Sequence, residues 1–352
     1  MDRRHSLSYT TLLLTFLSLA LFTSSIAAAF RDLSTVSYDE KFTPLFAEFN
    51  IKHREDGDGV DLHLNPYAGS GFISSDMYNY GFFSARIKLP GNHTSGIVVA
   101  IYTSNGDVFE KTHDELDIEF LGGAPGRPWR FQTNLYGNGS TNRGREERYT
   151  LWFDPSKEFH RYSILWTSRN IIFYVDNVPI REVMNSEEMG ADYPSKPMAL
   201  YATIWDASDW ATAGGKYKVD YNFSPFIAQF KDLVLDGCPS DPIQLAGATW
   251  ECSDAHAELD AADYALITPS RRASMRRFRQ KFMYYSYCYD VWRYPVPLPE
   301  CVIDPVEKER FKESGRLKFG GSHPRPGRQR RKRSRRSRGS SGSRNTLADY
   351  AM

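Results

Sequence analysis

A segment near the middle of the chain alternates acidic and apolar residues, with Glu115, Asp117 and Glu119 each followed by an apolar side chain. On a β-strand, successive side chains point to opposite faces, so the three carboxyl groups would share one surface. On an α-helix the same residues would spread over roughly 200° and share none. The pattern therefore predicts a strand that carries a row of carboxyl groups.

A solvated acidic face would also produce this alternation, but it does not explain three like charges in line, about 6.6 Å apart along the strand. Two carboxyls flanking a scissile bond are what glycoside hydrolysis requires, one as nucleophile and one as proton donor. The Cα atoms of Glu115 and Glu119 would lie roughly 13 Å apart, so their side chains must lean over Asp117. Asp117 would then hydrogen-bond the nucleophile and separate the two pKa values. The spacing predicts a pair of catalytic carboxyls without saying which Glu attacks.

The surrounding sequence consists of short strands that could position this segment. From about Phe46 to Asp236, runs of period two are separated by Gly, Asn and Pro clusters. The clearest of them are 60–64, 81–89, 162–166 and 170–175. Such spacing predicts an all-β sandwich or barrel. The mixture of long and short connections favours a jelly-roll sandwich over a meander.

The N-terminus has the features of a secretory leader. Arg3 and Arg4 precede an apolar run at 12–22, and a small-residue stretch ends at Ala29. The run is shorter than the roughly 20 residues that span a membrane. We therefore predict a signal peptide at 1–29, a secreted protein and no membrane partner. The sequence also has three N-x-S/T glycosylation sequons, which fit that route, at Asn92, Asn138 and Asn222.

Four cysteines lie in the C-terminal third, at Cys238, Cys252, Cys288 and Cys301. An oxidising compartment favours disulfides over a metal site, and neither C-x-x-C spacing nor clustered histidines support zinc. Four cysteines allow three pairings, and we predict the sequential one, 238 with 252 and 288 with 301. We predict no metal and no cofactor.

Composition divides the chain after its signal peptide into three parts. Residues 30–240 form the predicted catalytic sandwich, and 241–310 a small, disulfide-pinned extension with helices at 254–266 and 271–285. Ser270 is the N-cap predicted for the second helix. Residues 311–352 are a basic, low-complexity tail, predicted to be disordered.

The net charge of the tail is opposite in sign to that of the rest of the chain. Residues 316–352 hold twelve Lys or Arg and one Asp, so the other 315 residues carry about −10 of the chain's net +1. An Arg-rich tail can bind nucleic acid, but the leader argues against that partner. Screened attraction to an acidic polysaccharide outside the cell is the better hypothesis. A solvated tail without a partner, or one trimmed after secretion, explains it equally well.

The carboxylate segment resembles the catalytic signature of the xyloglucan endotransglucosylase/hydrolases of glycoside hydrolase family 16, enzymes of the plant cell wall. Further blocks between residues 40 and 302 resemble this family in the same order: 132–134, 144–146, 151–155, 205–212, 287–288 and 298–301. The resemblance departs at Gly123–Gly126, where the family often has a sequon, and in the basic tail, which resembles a divergent subgroup.

The resemblance implies a concanavalin-like jelly roll with a long glycan cleft. It assigns Glu115 as nucleophile, Glu119 as general acid/base and Asp117 as their helper. It implies glycan contacts from Glu119 and from Gln132, Thr133, Asn134, Gly144, Arg145, Glu146, Asp209, Trp210 and Gly214.

The implied activity is that of a xyloglucan:xyloglucosyl transferase, secreted to the cell wall and apoplast. Xyloglucan polymer would be the donor and a xyloglucan chain or oligosaccharide the acceptor. Hydrolysis by a xyloglucan-specific endo-hydrolase is the first alternative, because short motifs do not reveal how well the acceptor site excludes water. A non-catalytic glycan-binding protein is the second, since jelly rolls also serve as lectins.

Overall fold

The computed structural model describes residues 30, 33–54, 57, 59–242 and 252–317. The strands are β1 Phe42–Phe46, β2 Ile51–His53, β3 Val60–Leu64, β4 Ser70–Ser74, β5 Tyr78–Lys88, β6 Ile97–Ser104, β7 Glu115–Leu121, β8 Arg130–Tyr136, β9 Glu147–Tyr149, β10 His160–Trp166, β11 Asn170–Val175, β12 Val178–Met184, β13 Ala199–Asp206, β14 Phe226–Pro239, β15 Met283–Asp290 and β16 Ser314–Arg316. They form two sheets, one of nine strands in the order β1-β4-β13-β6-β7-β8-β9-β15-β16 and one of seven in the order β12-β11-β10-β5-β14-β3-β2. The helices are α1 Tyr38–Lys41, α2 Ala211–Gly214, α3 Ser253–Ala261, α4 Pro269–Phe282 and α5 Pro305–Phe311.

The main hydrophobic core lies between the two sheets and takes alternate residues from most of the strands. Leu116, Ile118 and Phe120 of β7 are fully buried in it. Burying a side chain of this size stabilises the fold by about 1.5–3 kcal/mol. The prediction of a jelly-roll β-sandwich is confirmed, and the apolar half of the β7 pattern is what fixes which face of that strand looks outward.

Strand β7 lies in the middle of the nine-stranded sheet. It pairs antiparallel with β6 on one side and β8 on the other, and neither ladder contains a bulge. An unbroken register keeps alternate side chains on one face. The outward residues of three neighbouring strands therefore form a continuous surface around the carboxyls.

The extension after residue 252 completes the nine-stranded sheet rather than forming a separate layer. Strand β15 pairs with β9, and β16 pairs with β15. Disulfides join Cys238 to Cys252 and Cys288 to Cys301, the sequential pairing that we predicted. The extension is partly helical, as predicted.

Two local boundaries differ from prediction. The N-cap of α4 is Thr268 rather than Ser270, because the Thr268 side chain accepts a hydrogen bond from the Arg271 amide and Pro269 begins the helix. Residues 311–317, which we assigned to the tail, belong to the fold. Phe311 is buried, and the Leu317 amide donates to the Tyr284 carbonyl.

The predicted leader at 1–29 and the tail beyond residue 317 lie outside the described residues. Within the described part of the chain, no helix is both long enough and apolar enough to cross a bilayer. The same part contains no cluster of His, Cys, Asp and Glu side chains suited to hold a metal ion. The three sequon asparagines Asn92, Asn138 and Asn222 are all exposed.

Candidate active site

The three carboxyl side chains of β7 project from the outer face of the nine-stranded sheet. Glu115 and Glu119 are partly exposed, whereas Asp117 between them is buried. Across the β8 ladder, Glu119 lies opposite Gln132 and Asp117 opposite Asn134. The row expected from the sequence is therefore formed, and amide side chains stand beside it.

Asp117 hydrogen-bonds Glu115. Burial, reinforced by the negative charges of Glu115 and Glu119, holds the pKa of Asp117 well above its usual range. Asp117 therefore keeps its proton most firmly of the three and donates it toward Glu115. A neutral Asp117 between two Glu residues also lets them lie on one strand without three charges in a row.

Glu115 accepts a second hydrogen bond from the hydroxyl of Ser104, its partner on β6. Burial raises the pKa of Glu115, while the bonds from Ser104 and Asp117 oppose that rise by stabilising the anion. A carboxylate held by two donors is the form required of a nucleophile.

Glu119 accepts a hydrogen bond of 2.5 Å from the Gln132 amide nitrogen. Burial raises the pKa of Glu119, the Gln132 bond lowers it, and the charge of Glu115 raises it further. A raised pKa favours the protonated form that a general acid requires. The two glutamates therefore have different surroundings, one rich in donors to the anion and one that combines burial with a single amide.

These carboxyls line a cavity of about 310 Å³ on the sheet surface. The turn that contains α2 borders the cavity on one side, and residues of β8, β9 and β15 border it on the other. The lining residues are Glu115, Asp117, Glu119, Leu121, Arg130, Gln132, Asn134, Tyr136, Glu146, Arg148, Trp210, Ala211, Thr212, Ala213, Gly214 and Tyr284. Trp210 offers an aromatic face beside the acids, which suits stacking on a sugar ring.

Five of the predicted glycan contacts line this cavity beside Glu119: Gln132, Asn134, Glu146, Trp210 and Gly214. The other four do not line it. Thr133 is fully buried on the opposite face of β8, where its hydroxyl accepts from Arg181. The Asp209 side chain is exposed and contacts Lys218.

Gly144 and Arg145 lie behind the cavity. The Gly144 carbonyl accepts a hydrogen bond from the Tyr294 hydroxyl. Arg145 is fully buried and forms ion pairs with Asp192 at 2.7 Å and Glu300 at 2.6 Å. Its amide donates to the Asn134 side chain at 2.8 Å, so the segment supports a cavity residue from below. We therefore propose that Arg145 positions the site without contacting glycan.

Glu146 connects the cavity to the C-terminal extension. Its carboxylate forms a 2.5 Å ion pair with Arg293 and retains little exposure. A Cβ added at Gly144 would lie 2.6 Å from the Arg293 guanidinium, so the absence of a side chain at residue 144 leaves room for this pair. The extension thus helps to hold one wall of the cavity.

Five polar or aromatic lining residues were absent from the sequence-based set: Arg130, Tyr136, Arg148, Thr212 and Tyr284. Arg130 and Tyr136 alternate with Gln132 and Asn134 on β8, so the period of two could have identified them. Arg148 has a buried Nε atom without a hydrogen-bond partner among the described residues, and its guanidinium lies over the Tyr285 ring at 5.0 Å. The charge of Arg148 also lowers the pKa of Glu119, so this residue influences the acids as well as lining the cavity.

Sequence similarity to known proteins extends along most of the chain. Residues 38–223, more than half of the chain, match the sequence profile of the glycosyl hydrolases family 16, and residues 252–301 match that of the xyloglucan endo-transglycosylase C-terminus. Among curated proteins, "Probable xyloglucan endotransglucosylase/hydrolase protein 30" of Arabidopsis thaliana is 64% identical over 324 residues, covering 92% of this chain and 93% of the relative. This chain belongs to the xyloglucan endotransglucosylase/hydrolase family. Its carboxylate row therefore lies in a glycosyl-transferring or glycosyl-hydrolysing enzyme.

More distant members of the family align over similar lengths. "Xyloglucan endotransglucosylase protein 34" of Populus tremula x Populus tremuloides is 39% identical, covering 81% of this chain and 95% of the relative. Among solved structures, a β-1,3-1,4-glucanase (lichenase) derived from a mouse hindgut metagenome is 24% identical with a TM-score of 0.47, covering 58% of this chain and 98% of that one.

Proposed function

We propose that this protein is a secreted xyloglucan endotransglucosylase of the plant cell wall and apoplast. It cleaves the β-1,4-glucan backbone of a xyloglucan donor and transfers the new end to a xyloglucan acceptor, in wall construction and remodelling. The observation that carries the proposal is the β7 row, in which Asp117 hydrogen-bonds Glu115 and Gln132 hydrogen-bonds Glu119. The names of its relatives supply the substrate.

In the first step, the Glu115 carboxylate attacks the anomeric carbon of the donor. The glycosidic C–O bond breaks as Glu119 gives its proton to the departing oxygen. The donor is then held as an ester on Glu115. Asp117 and Ser104 stabilise the Glu115 anion before attack, and Asp117 remains a donor to the ester oxygen afterwards.

In the second step, Glu119 is a carboxylate and acts as base. It takes the proton from an acceptor hydroxyl, whose oxygen attacks the same anomeric carbon and displaces Glu115. Two inversions restore the β-linkage. If water takes the acceptor's position, the identical step hydrolyses the donor instead, so the two activities differ only in what occupies the acceptor half of the cleft.

The surroundings of the acids support an extended polymer as the substrate. Arg148 and Asn134 offer donors to hydroxyl groups, and Trp210 offers a stacking face, all within the same cavity. Glu146 is held beside the three acids by its ion pair with Arg293, and its charge raises the pKa of Asp117 and Glu119. Donors, acceptors and an aromatic face around one reaction centre are the features of a carbohydrate site.

We also propose that the basic tail attracts an acidic wall polysaccharide such as pectin. Helix α4 supports this proposal, because its 14 residues include six Lys or Arg and no acid. Arg276, Arg277 and Lys281 of this helix are exposed. The described part of the chain thus already carries exposed basic residues besides the tail, and attraction of this kind weakens as salt rises.

The experiment is a product assay on the secreted protein with xyloglucan and labelled xyloglucan oligosaccharide. Label that enters long polymer, and no longer does so in Glu115→Ala, supports transfer through that carboxylate. New reducing ends that form at the same rate without acceptor identify a hydrolase. Binding without either product would overturn the enzyme proposal for this substrate and favour a lectin.

A further inference from the structure

Phe46 has an exposed aromatic ring on the nine-stranded sheet. It lies at one end of a row of residues paired across neighbouring strands, and Glu119 lies at the other end. Strand registers give the sequence of that row: Glu119 pairs with Ala100, Ala100 with Thr203, Thr203 with Gly71, and Gly71 with Phe46 of edge strand β1. Residues paired in a regular ladder project from the same face. The register of β1 shifts between Pro44 and Phe46, but a Cβ added at Gly71 would lie 2.9 Å from the Phe46 ring, which places the ring on this face as well. Phe46 and the catalytic acid thus lie on one surface, four strand intervals apart.

The Phe46 ring rests on the sheet surface and not in the core. Its neighbour across the ladder, Gly71, has no side chain, and a Cβ added there would lie 2.9 Å from the ring. Phe72, the next residue of β4, is fully buried on the opposite face. Phe46 itself is 39% exposed, although it is a large apolar side chain. The absent side chain at Gly71 lets the ring lie low over the strand.

The row between Phe46 and Glu119 is built of small residues. Gly71, Thr203 and Ala100 together make a low strip, and an aromatic pair lies on each side of it. Tyr102 and Tyr201 stack at 4.9 Å between ring centroids on one side, and Trp205 and Trp210 lie 5.7 Å apart on the other. A strip of small residues between aromatic pairs, leading away from the catalytic carboxyls, suits the binding of an extended polymer.

We propose that Phe46 is a sugar-stacking residue of a distal subsite and binds the backbone unit about four from the cleaved bond. Neighbouring strands are about 4.8 Å apart, so four intervals span roughly 19 Å, the length of roughly four pyranose units in an extended chain. A half-exposed Phe ring suits the apolar face of a glucosyl unit and forms no hydrogen bond that would discriminate its branches. The inference rests on the proposed function, because it takes a β-1,4-glucan backbone as the ligand.

The test compares donors that reach Phe46 with donors that do not. For Phe46→Ala, the KM for long xyloglucan should rise roughly three- to ten-fold with kcat unchanged, because stacking remote from the reacting atoms contributes equally to ground and transition states. A donor with three backbone units on each side of the cleaved bond should react as with the wild type. Phe46→Trp should restore the long-donor KM.

Phe223→Ala is the matched control. Phe223 is 45% exposed and stacks on His93, away from this row. Its replacement by Ala should therefore leave the KM of both donors unchanged. If Phe46→Ala raised the KM equally for both donors, or did not raise it for the long donor, the inference about Phe46 would be overturned.

Binding separates this inference from the proposed function. In the Glu115→Ala background, Phe46→Ala should weaken affinity for long xyloglucan by the same factor, measured by titration calorimetry. A wild type without transfer activity would defeat the proposed function, yet this difference in affinity would still support the distal subsite. No difference in affinity, or no binding at all, would overturn it.

Discussion

Gln132 sets the protonation of the proposed general acid. Its amide is the larger of two influences that lower the pKa of Glu119, the other being the Arg148 charge, while burial and the charges of Glu115 and Glu146 raise it. Removing the amide therefore raises that pKa, and an acid that must be protonated then remains active to higher pH. For Gln132→Ala we expect the alkaline limb of the kcat/KM profile to move upward by roughly 0.5 to 1 pH unit, from the usual net energy of a hydrogen bond.

The measurement is a pH–rate profile of transfer with both variants at matched substrate. Asn134→Ala is the control, because Asn134 lines the same cavity and lies opposite Asp117 rather than Glu119. It should lower the rate without the same upward movement of the limb. A downward movement in Gln132→Ala would contradict the proposed role of Glu119.

Asp117 is expected to act as a neutral hydrogen-bond donor. Since burial and its two neighbours hold its proton in place, an amide at this position should reproduce much of its effect. We expect Asp117→Asn to lower kcat about ten-fold and Asp117→Ala at least ten-fold further, because only the second leaves Glu115 without a donor on this side. Steady-state kinetics of the two variants check this. Equal falls in kcat would show that the hydrogen bond donated by Asp117 does not contribute to catalysis.

At the scale of single residues, the alternation of 115–120 predicted which side chains face the cleft. The same rule applied to β8 would have excluded Thr133 and included Tyr136, because they differ by an odd number of positions. Arg145 could not be assigned in this way. Its partners Asp192 and Glu300 are distant in sequence, and only the folded chain brings them to it.

Among the elements, a buried ionic network joins strand β9 to the C-terminal helices. Glu147 is paired with Arg279 of α4 at 2.6 Å, and Arg279 also contacts Glu307 of α5 at 2.9 Å. Burial alone would raise the pKa of Glu147, but the charges of Arg279 and Arg181 lower it to about 2. This network attaches the extension that supplies β15 to the active-site sheet.

Glu147→Gln should lower the free energy of unfolding by about 3 to 5 kcal/mol, because it leaves buried guanidinium charge uncompensated. The folded pKa of about 2 lies below the ordinary 4.5. The contribution of Glu147 is therefore complete above about pH 4.5 and is lost as pH falls through about 2. Denaturant unfolding at several pH values tests this, with exposed Glu158→Gln as control. A difference between wild type and Glu147→Gln that grows toward low pH would contradict it.

The presence of a strand or helix could be predicted from the sequence more readily than the residues at which it begins and ends. The period-two runs predicted the strands around β7, because an amphipathic strand has a regular pattern that needs no partner to be recognised. The end of α4 did not follow, since its last turn runs directly into β15 at Met283. Strand β16 was missed because its three residues pair with a strand that is itself remote in the chain.

At the scale of the whole molecule, the tail should affect where the enzyme binds and not how it reacts. Truncation after Leu317 removes eleven Lys or Arg and one Asp. We expect binding to immobilised polygalacturonate to weaken strongly at low salt and to differ little from the full chain at high salt, because the attraction is screened. Transfer between soluble xyloglucan chains should be unchanged. Unaltered polygalacturonate binding would contradict the proposed role of the tail.

The central claim is that Glu115 is the nucleophile and Glu119 the acid/base, and chemical rescue with azide tests it most directly. The measurement is the anomeric configuration of the glycosyl azide that each alanine variant forms from an activated β-glycoside of a xyloglucan oligosaccharide. Without its nucleophile, Glu115→Ala should give one inversion and an α-azide, whereas Glu119→Ala should still form the ester and give a β-azide. The opposite configurations would exchange the two roles, and no rescue of either variant would contradict catalysis by this carboxylate pair.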